Sequence, residues 1–233
     1  MAEVVVERLG AAGDGIATFA GAPLFIRLAA PGERWRVRVG PATRFGRRAR
    51  PLLRLAGPPR AEPACPHFGR CGGCALQHLS EPAYAAFKQQ RSEAPLARAG
   101  LRAGTLLPLA SSPAGSRRRL RLGVARTRRG LLLGFRGHRD HDLVAINRCP
   151  VARPELERLL GPLSAALAEL AMLETGAAGE VLLTLTATGV DLLLRAAAEP
   201  GLAARERLAA IAQALDLARL AVGPPGGPAE PVV

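Results

Sequence analysis

Apolar and polar positions alternate in short runs over the first 57 residues. VVVERL, IATFA, PLFIRL and RWRVRV, with a further run near RARPLLRL, are separated by glycine and proline turns. In RWRVRV the arginines alternate with Trp35, Val37 and Val39, which puts a basic and an apolar face on one strand. Five short strands of this kind predict a small OB-like β-barrel, a common nucleic-acid scaffold. Gly10, Gly13 and Gly15 belong to turns, since no helical pattern follows them as a dinucleotide fingerprint requires.

Beyond a linker at GPPRAEP (residues 57–63), the pattern changes. Residues 81–100 predict a helix with Pro82 in its first turn and Pro95 interrupting or ending it. RRRLRLGVA and LLLGFR flank RTRRG as a hairpin, with Leu120, Leu122 and Val124 opposite Arg119 and Arg121. Leu156, Leu159, Leu160, Leu163, Leu167 and Leu170 follow helical spacing and mark a core-facing stripe. EVLLTLTATGVDLLLRAA predicts a second hairpin turning at residues 188 and 189, and ARERLAAIAQALDLARL a last helix. The closing GPPGGPAEPVV has linker composition. The organisation predicted is a barrel at 1–57, an α/β central domain at 58–222 and a linker at 223–233, an α+β chain without internal repeats.

At 233 residues and 48% hydrophobic content the chain has room for real cores. No apolar run approaches the roughly 18 residues that span a bilayer. The longest, around 159–173, is interrupted by Glu169. Nothing in MAEVVVERLG resembles a signal peptide, so a soluble, cytoplasmic monomer is expected.

A net charge of +13 suggests a polyanionic partner. Of the 32 basic residues only Lys88 is a lysine, a skew that a GC-rich genome also produces. The distribution carries more weight. Nine arginines fall within residues 34–60 and nine within 117–139, with no acid in either tract. RNA is the expected partner, and Arg34, Arg36, Arg38, Arg47, Arg48, Arg117, Arg118, Arg119 and Arg121 are the expected contacts. Such a charge adds nothing to a redox role.

All four cysteines form one three-plus-one pattern: Cys65, Cys71 and Cys74 are spaced C-x5-C-x2-C, and Cys149 stands in NRCPV. Four thiolates suit either a cubane iron–sulfur cluster or a structural zinc ion, and the spacing leaves both open. Gly72 and Gly73 allow a tight loop. His67 and His78 flank the cysteines and could substitute as ligands, but with four cysteines available they are expected to pack or hydrogen-bond nearby. His138 and His141 form an H-x-x-H expected to contact RNA or lie at the surface, and Phe68 lies where it would shield a metal from water.

CPHFGRCGGCALQHL, with YAAFKQQ, RRRLRL, LGFRGHRDHDLVAI and CPV, resembles the 23S rRNA (uracil-5-)-methyltransferase family. These are SAM-dependent RNA methyltransferases with an N-terminal TRAM domain and a [4Fe-4S] cluster. The stretch VVVERLGAAGDGIATFAGAPLFIRLAAPGERWRVRV is similar to a TRAM domain. The resemblance implies a cluster held by Cys65, Cys71, Cys74 and Cys149, and 23S rRNA as the partner. It also implies uracil C5 methylation: a cysteine thiolate adds to C6, C5 attacks the methyl group of SAM, and a base removes the C5 proton. With four cysteines assigned as ligands, none remains for that attack. Nor does any strand–glycine loop–helix pattern suit SAM. The chain is therefore expected to be an N-terminal, RNA-recognition portion, inactive alone, with a Rossmann-like methyltransferase domain absent and SAM bound only there. A free-standing zinc-dependent RNA-binding module is the alternative.

Overall fold

The computed structural model describes residues 1–101, 104, 107–139, 142–170, 172–173 and 178–233. These fold as two compact units, Met1–Ala64 with Cys74–Ser111, and Cys65–Gly73 with Ser112–Val233.

The first unit holds six strands: β1 (Ala2–Val5), β2 (Arg8–Leu9), β3 (Gly15–Phe19), β4 (Ala22–Ile26), β5 (Arg34–Thr43) and β6 (Gly46–Ala56). They lie in the order β1-β5-β6-β4-β3-β2, antiparallel except for the β4–β6 pair. The run VVVERL, read as one strand, is two. The Val6 amide bonds the Glu33 carbonyl, and the next amide, Glu7, bonds that of Ile16. Because β1 and β2 stand at opposite ends of the strand order yet adjoin in sequence, the sheet curls round on itself. Inside lie Val4, Val6, Leu24, Ile26, Trp35 and Val37. Helix α1 spans Glu81–Arg98 with Pro82 in its first turn and Pro95 within it. Pro95 donates no backbone bond, but its carbonyl accepts from Ala99 at 3.0 Å, so the last turn still closes.

The second unit is built on a seven-stranded sheet. Its strands are β7 (Arg119–Thr127), β8 (Gly130–Arg136), β9 (Leu143–Ala145), β10 (Ala178–Leu185), β11 (Val190–Arg195), β12 (Leu217–Gly223) and β13 (Glu230–Pro231). The order is β13-β12-β11-β10-β7-β8-β9. Three helices belong to it: α2 (Pro154–Glu157), α3 (Leu160–Ala168) and α4 (Leu202–Ala214). The leucine stripe is interrupted between α2 and α3, yet all six of its leucines are buried in one core with Leu120, Leu122 and Val124.

The C-terminal part differs most from expectation. The predicted last helix ends at Ala214, Asp216 takes a positive φ of 52°, and the chain continues as β12, parallel to β11. Leu220, Ala221 and Val222 are buried there, a gain that outweighs their helical propensity. The glycine and proline stretch supplies β13, antiparallel to β12. The Arg195 guanidinium holds it by donating to the carbonyls of Pro224 (2.9 Å) and Gly227 (2.6 Å).

Candidate RNA-binding faces and cysteine loop

On β5 the arginines and the core residues take opposite faces. Arg34, Arg36 and Arg38 are exposed while Trp35 and Val37 are buried. Arg36 pairs with Glu3 across β1 at 2.7 Å. Arg38 lies directly opposite Arg50 on β6. Like charges in that position destabilise a sheet, and neither has a side-chain partner among the described residues. Arg48 is exposed, and half-buried Arg47 donates to the Gly40 carbonyl at 3.1 Å.

The first arginine tract is not all outward-facing. Arg54 and Arg60 turn in to Glu33, whose side chain has no exposed surface. Glu33 also accepts from the Trp35 indole and the Ala30 amide, each at 2.8 Å. Burial pushes the Glu33 carboxyl up, but hydrogen bonds from Arg60, Ala30 and Trp35, with the Arg60 charge, outweigh it and lower the pKa to about 2. His78, in the same unit, is buried, and burial with the Arg60 charge lowers its pKa to about 4 against the opposing effect of Glu33.

In the second tract Arg117, Arg118, Arg119 and Arg121 are all exposed. Arg118 donates to the Leu185 carbonyl at 3.0 Å. Arg121 is paired with Glu180 at 2.7 Å, and that hydrogen bond and charge raise its pKa. The side chains of Arg117 and Arg119 have no partner among the described residues. Arg126 is structural: it donates to carbonyls of Ala168, Leu170 and Leu173 at the end of α3. Sequence reading missed this role and the Glu33 hub, because both depend on partners distant in the chain.

The cysteine loop is shaped by close backbone contact. Cys71 bridges to Gly137, and the Gly72 amide donates to the Arg136 carbonyl at 3.0 Å. A Cβ on Gly72 would lie 2.8 Å from the carbonyl oxygens of both Arg136 and Gly137, so only glycine fits there. The Gly73 amide points at the Cys71 Sγ from 3.4 Å, the way amides support thiolate ligands. Cys149 is buried, its amide donating to Glu157 Oε1 at 2.9 Å. His67 Nε2 lies 3.3 Å from Asn147 Oδ1, joining the loop to the segment before Cys149. These two residues, with Pro66, Arg148, Glu157 and Arg158, line an open cleft of about 800 Å³.

The soft donor set and the glycine-shaped loop fit a cluster or a zinc ion in chemistry. The side chains are not gathered as ligands, however: among the described residues no group of three or more His, Cys, Asp or Glu is placed to hold a metal ion. Cys65, Cys71 and Cys149 belong to the second unit and Cys74 to the first. Phe68 and His138 are half-buried, and His141 lies outside the described residues. Among the described residues no helix is long and apolar enough to cross a membrane.

No protein-family model matches the chain. It is 39% identical over 196 residues to an uncharacterized RNA methyltransferase of Caulobacter vibrioides, covering 82% of this chain and 46% of that one. It is 37% identical over 201 residues to a 23S rRNA (uracil(1939)-C(5))-methyltransferase of Photorhabdus laumondii, covering 82% and 44% respectively. The chain thus spans about half the length of the curated relatives it matches. Its fold is similar to that of the Pyrococcus abyssi tRNA (uracil-54, C5)-methyltransferase solved with S-adenosyl-L-homocysteine. The TM-score is 0.65 at 20% identity, covering 95% of this chain and 51% of that one.

This likeness corrects the expected fold class, which had a Rossmann-like methyltransferase domain absent. The fold shared over 95% of this chain is that of about half of a methyltransferase, so the expected absence of a Rossmann-like methyltransferase fold does not stand. In sequence, no glycine fingerprint marks this part of the chain, and residues 204–220 carry the pattern of one continuous helix. The chain instead forms a parallel strand–helix–strand unit, β11–α4–β12, that carries no such fingerprint.

Proposed function

We propose, from the premise that this chain belongs to the 23S rRNA (uracil-C5)-methyltransferase family, that it serves the SAM-dependent C5 methylation of a uridine in 23S rRNA in the cytoplasm and that its share is to hold the RNA. The observation that carries this reading is the pair Arg38 and Arg50, two exposed cations held face to face with no neutralising side chain among the described residues. A sheet bears that repulsion at a cost, and a phosphate backbone lying along β5 and β6 would relieve it. Arg34, Arg36, Arg47 and Arg48 extend the same basic tract, and Arg117, Arg118, Arg119 and Arg121 supply a second one.

Methylation at C5 requires a thiolate at C6 of a base taken out of its stack. Cys65, Cys71, Cys74 and Cys149 would hold a [4Fe-4S] cluster, which would supply a covalent cross-link between the cysteine loop and the segment before α2. The soft donors, the Gly72 contact and the Gly73 amide on Cys71 support that assignment. With these four committed, the chain's own residues bind and orient RNA rather than attack the base.

Binding to a 23S rRNA fragment across a salt series tests this reading. Phosphate contacts make affinity fall linearly on a log–log plot as salt rises. An affinity for RNA no greater than for a neutral polymer, or one insensitive to salt, would overturn it.

A further inference from the structure

We propose that Phe45, at the tip of the β5–β6 hairpin, is a stacking site for an unpaired base of the RNA; this rests on the RNA-binding reading above. The chain has eight aromatic residues, and Phe45 is the single exposed one, at 67%. The other seven are buried or half-buried. A lone exposed leucine would need no explanation. A ring without cover in a chain so poor in aromatics, set within a tract of arginines, does.

Two observations point to a base as its occupant. The Arg44 guanidinium lies 4.5 Å from the ring centroid, a cation stacked on one face of a ring that is still largely open. Bases stack on such rings whatever their identity, and an adjacent guanidinium adds cation–π attraction and charge for the phosphate. Residues 34–60 contain no acid to repel an RNA strand.

The tip is also held in place. Thr43 Oγ1 accepts from the Phe45 amide at 3.3 Å and donates to the Gly46 carbonyl at 2.7 Å. Gly46 takes a φ of 118°, and a Cβ there would collide with the Pro23 carbonyl oxygen. Gly40 and Pro41 interrupt the register between Val39 and Ala42, a bulge of the kind that re-aims the strand end beyond it. The ring is thus presented by a rigid tip, and little order need be gained on binding.

The test uses the full chain and two RNAs of equal length: a hairpin whose unpaired loop carries 2-aminopurine, and a fully paired duplex. Wild type should quench the 2-aminopurine on binding. Phe45→Ala should weaken loop binding by about five- to one-hundred-fold, leave duplex binding as it was, and keep the salt slope, since no phosphate contact is lost. Phe45→Trp should restore both quenching and affinity. Duplex binding doubles as the control for folding. Loop binding by Phe45→Ala equal to wild type, or an equal loss on loop and duplex, overturns the proposal. If Arg38→Ala with Arg50→Ala flattens the salt slope while Phe45→Ala changes nothing, only the stacking site fails. If wild type binds neither RNA, the RNA-binding reading fails with it.

Discussion

The Trp35 indole Nε1 donates to Glu33 Oε2 at 2.8 Å, joining an outward-facing basic strand to a carboxylate with no exposed surface. Arg54 at 2.8 Å and Arg60 at 2.6 Å complete the shell around that carboxylate. Glu33 thereby turns two arginines of the basic tract into framework, and leaves Arg34, Arg36 and Arg38 to face out.

Replacing Glu33 with Gln should be costly, because it leaves two half-buried guanidinium groups without a counter-charge. Breaking such a pair from one side typically costs about 3–5 kcal/mol. Chemical denaturation of the first unit should show it. A loss under 1 kcal/mol would mean that water replaces the carboxylate.

Acid should weaken the fold in two steps. His78 is neutral in the folded state with a pKa lowered to about 4 from 6.5. The unfolded chain therefore binds a proton first, and stability should fall as pH drops from 6.5 to about 4, by up to about 3 kcal/mol. Glu33 has a pKa lowered to about 2 from 4.5, so its contribution, full above 4.5, should be lost between pH 4.5 and 2. His78→Gln should remove the first step and keep the second. A melting temperature flat between pH 7 and 4 would contradict the His78 assignment.

Anaerobically purified chain should be brown and contain iron and acid-labile sulfide. Cys149→Ser should lower the iron content and destabilise the fold by more than the ~0.5 kcal/mol usual for a surface change. One zinc per colourless chain would replace the cluster with the zinc alternative.

Arg117 and Arg119, whose side chains have no partner among the described residues, should matter more than Arg118 and Arg121, which have one. Arg117→Ala with Arg119→Ala should flatten the salt dependence of RNA binding by up to about one unit per lost contact. Arg121→Ala should do less, since Arg121 already spends its charge on Glu180. Equal slopes for the double variant and wild type would make this tract a solvated face.

Local chemistry was legible wherever it repeats over a few residues. The alternation in RWRVRV placed Trp35 and Val37 inside, and the pattern placed a turn at RTRRG, within which β7 gives way to β8. The cysteine spacing and its two glycines identified a loop whose backbone contacts do exclude any other residue at position 72. Phe45 carried no such signal. Its exposure follows from its place in a two-residue turn, not from any period.

What the sequence by itself determined is which residues share a strand face and which stretches bend, because side-chain alternation and turn chemistry act between near neighbours. What only the tertiary structure decided is where distant partners meet. Arg60 reaches back 27 residues to Glu33 because the curled sheet brings them together. VVVERL divides because successive amides find different partners, Val6 at Glu33 and Glu7 at Ile16. LARLAVG becomes a strand because β11 offers an open edge and a core for Leu220 and Val222. The arrangement of whole sheets sets these pairings, and no window along the chain contains it.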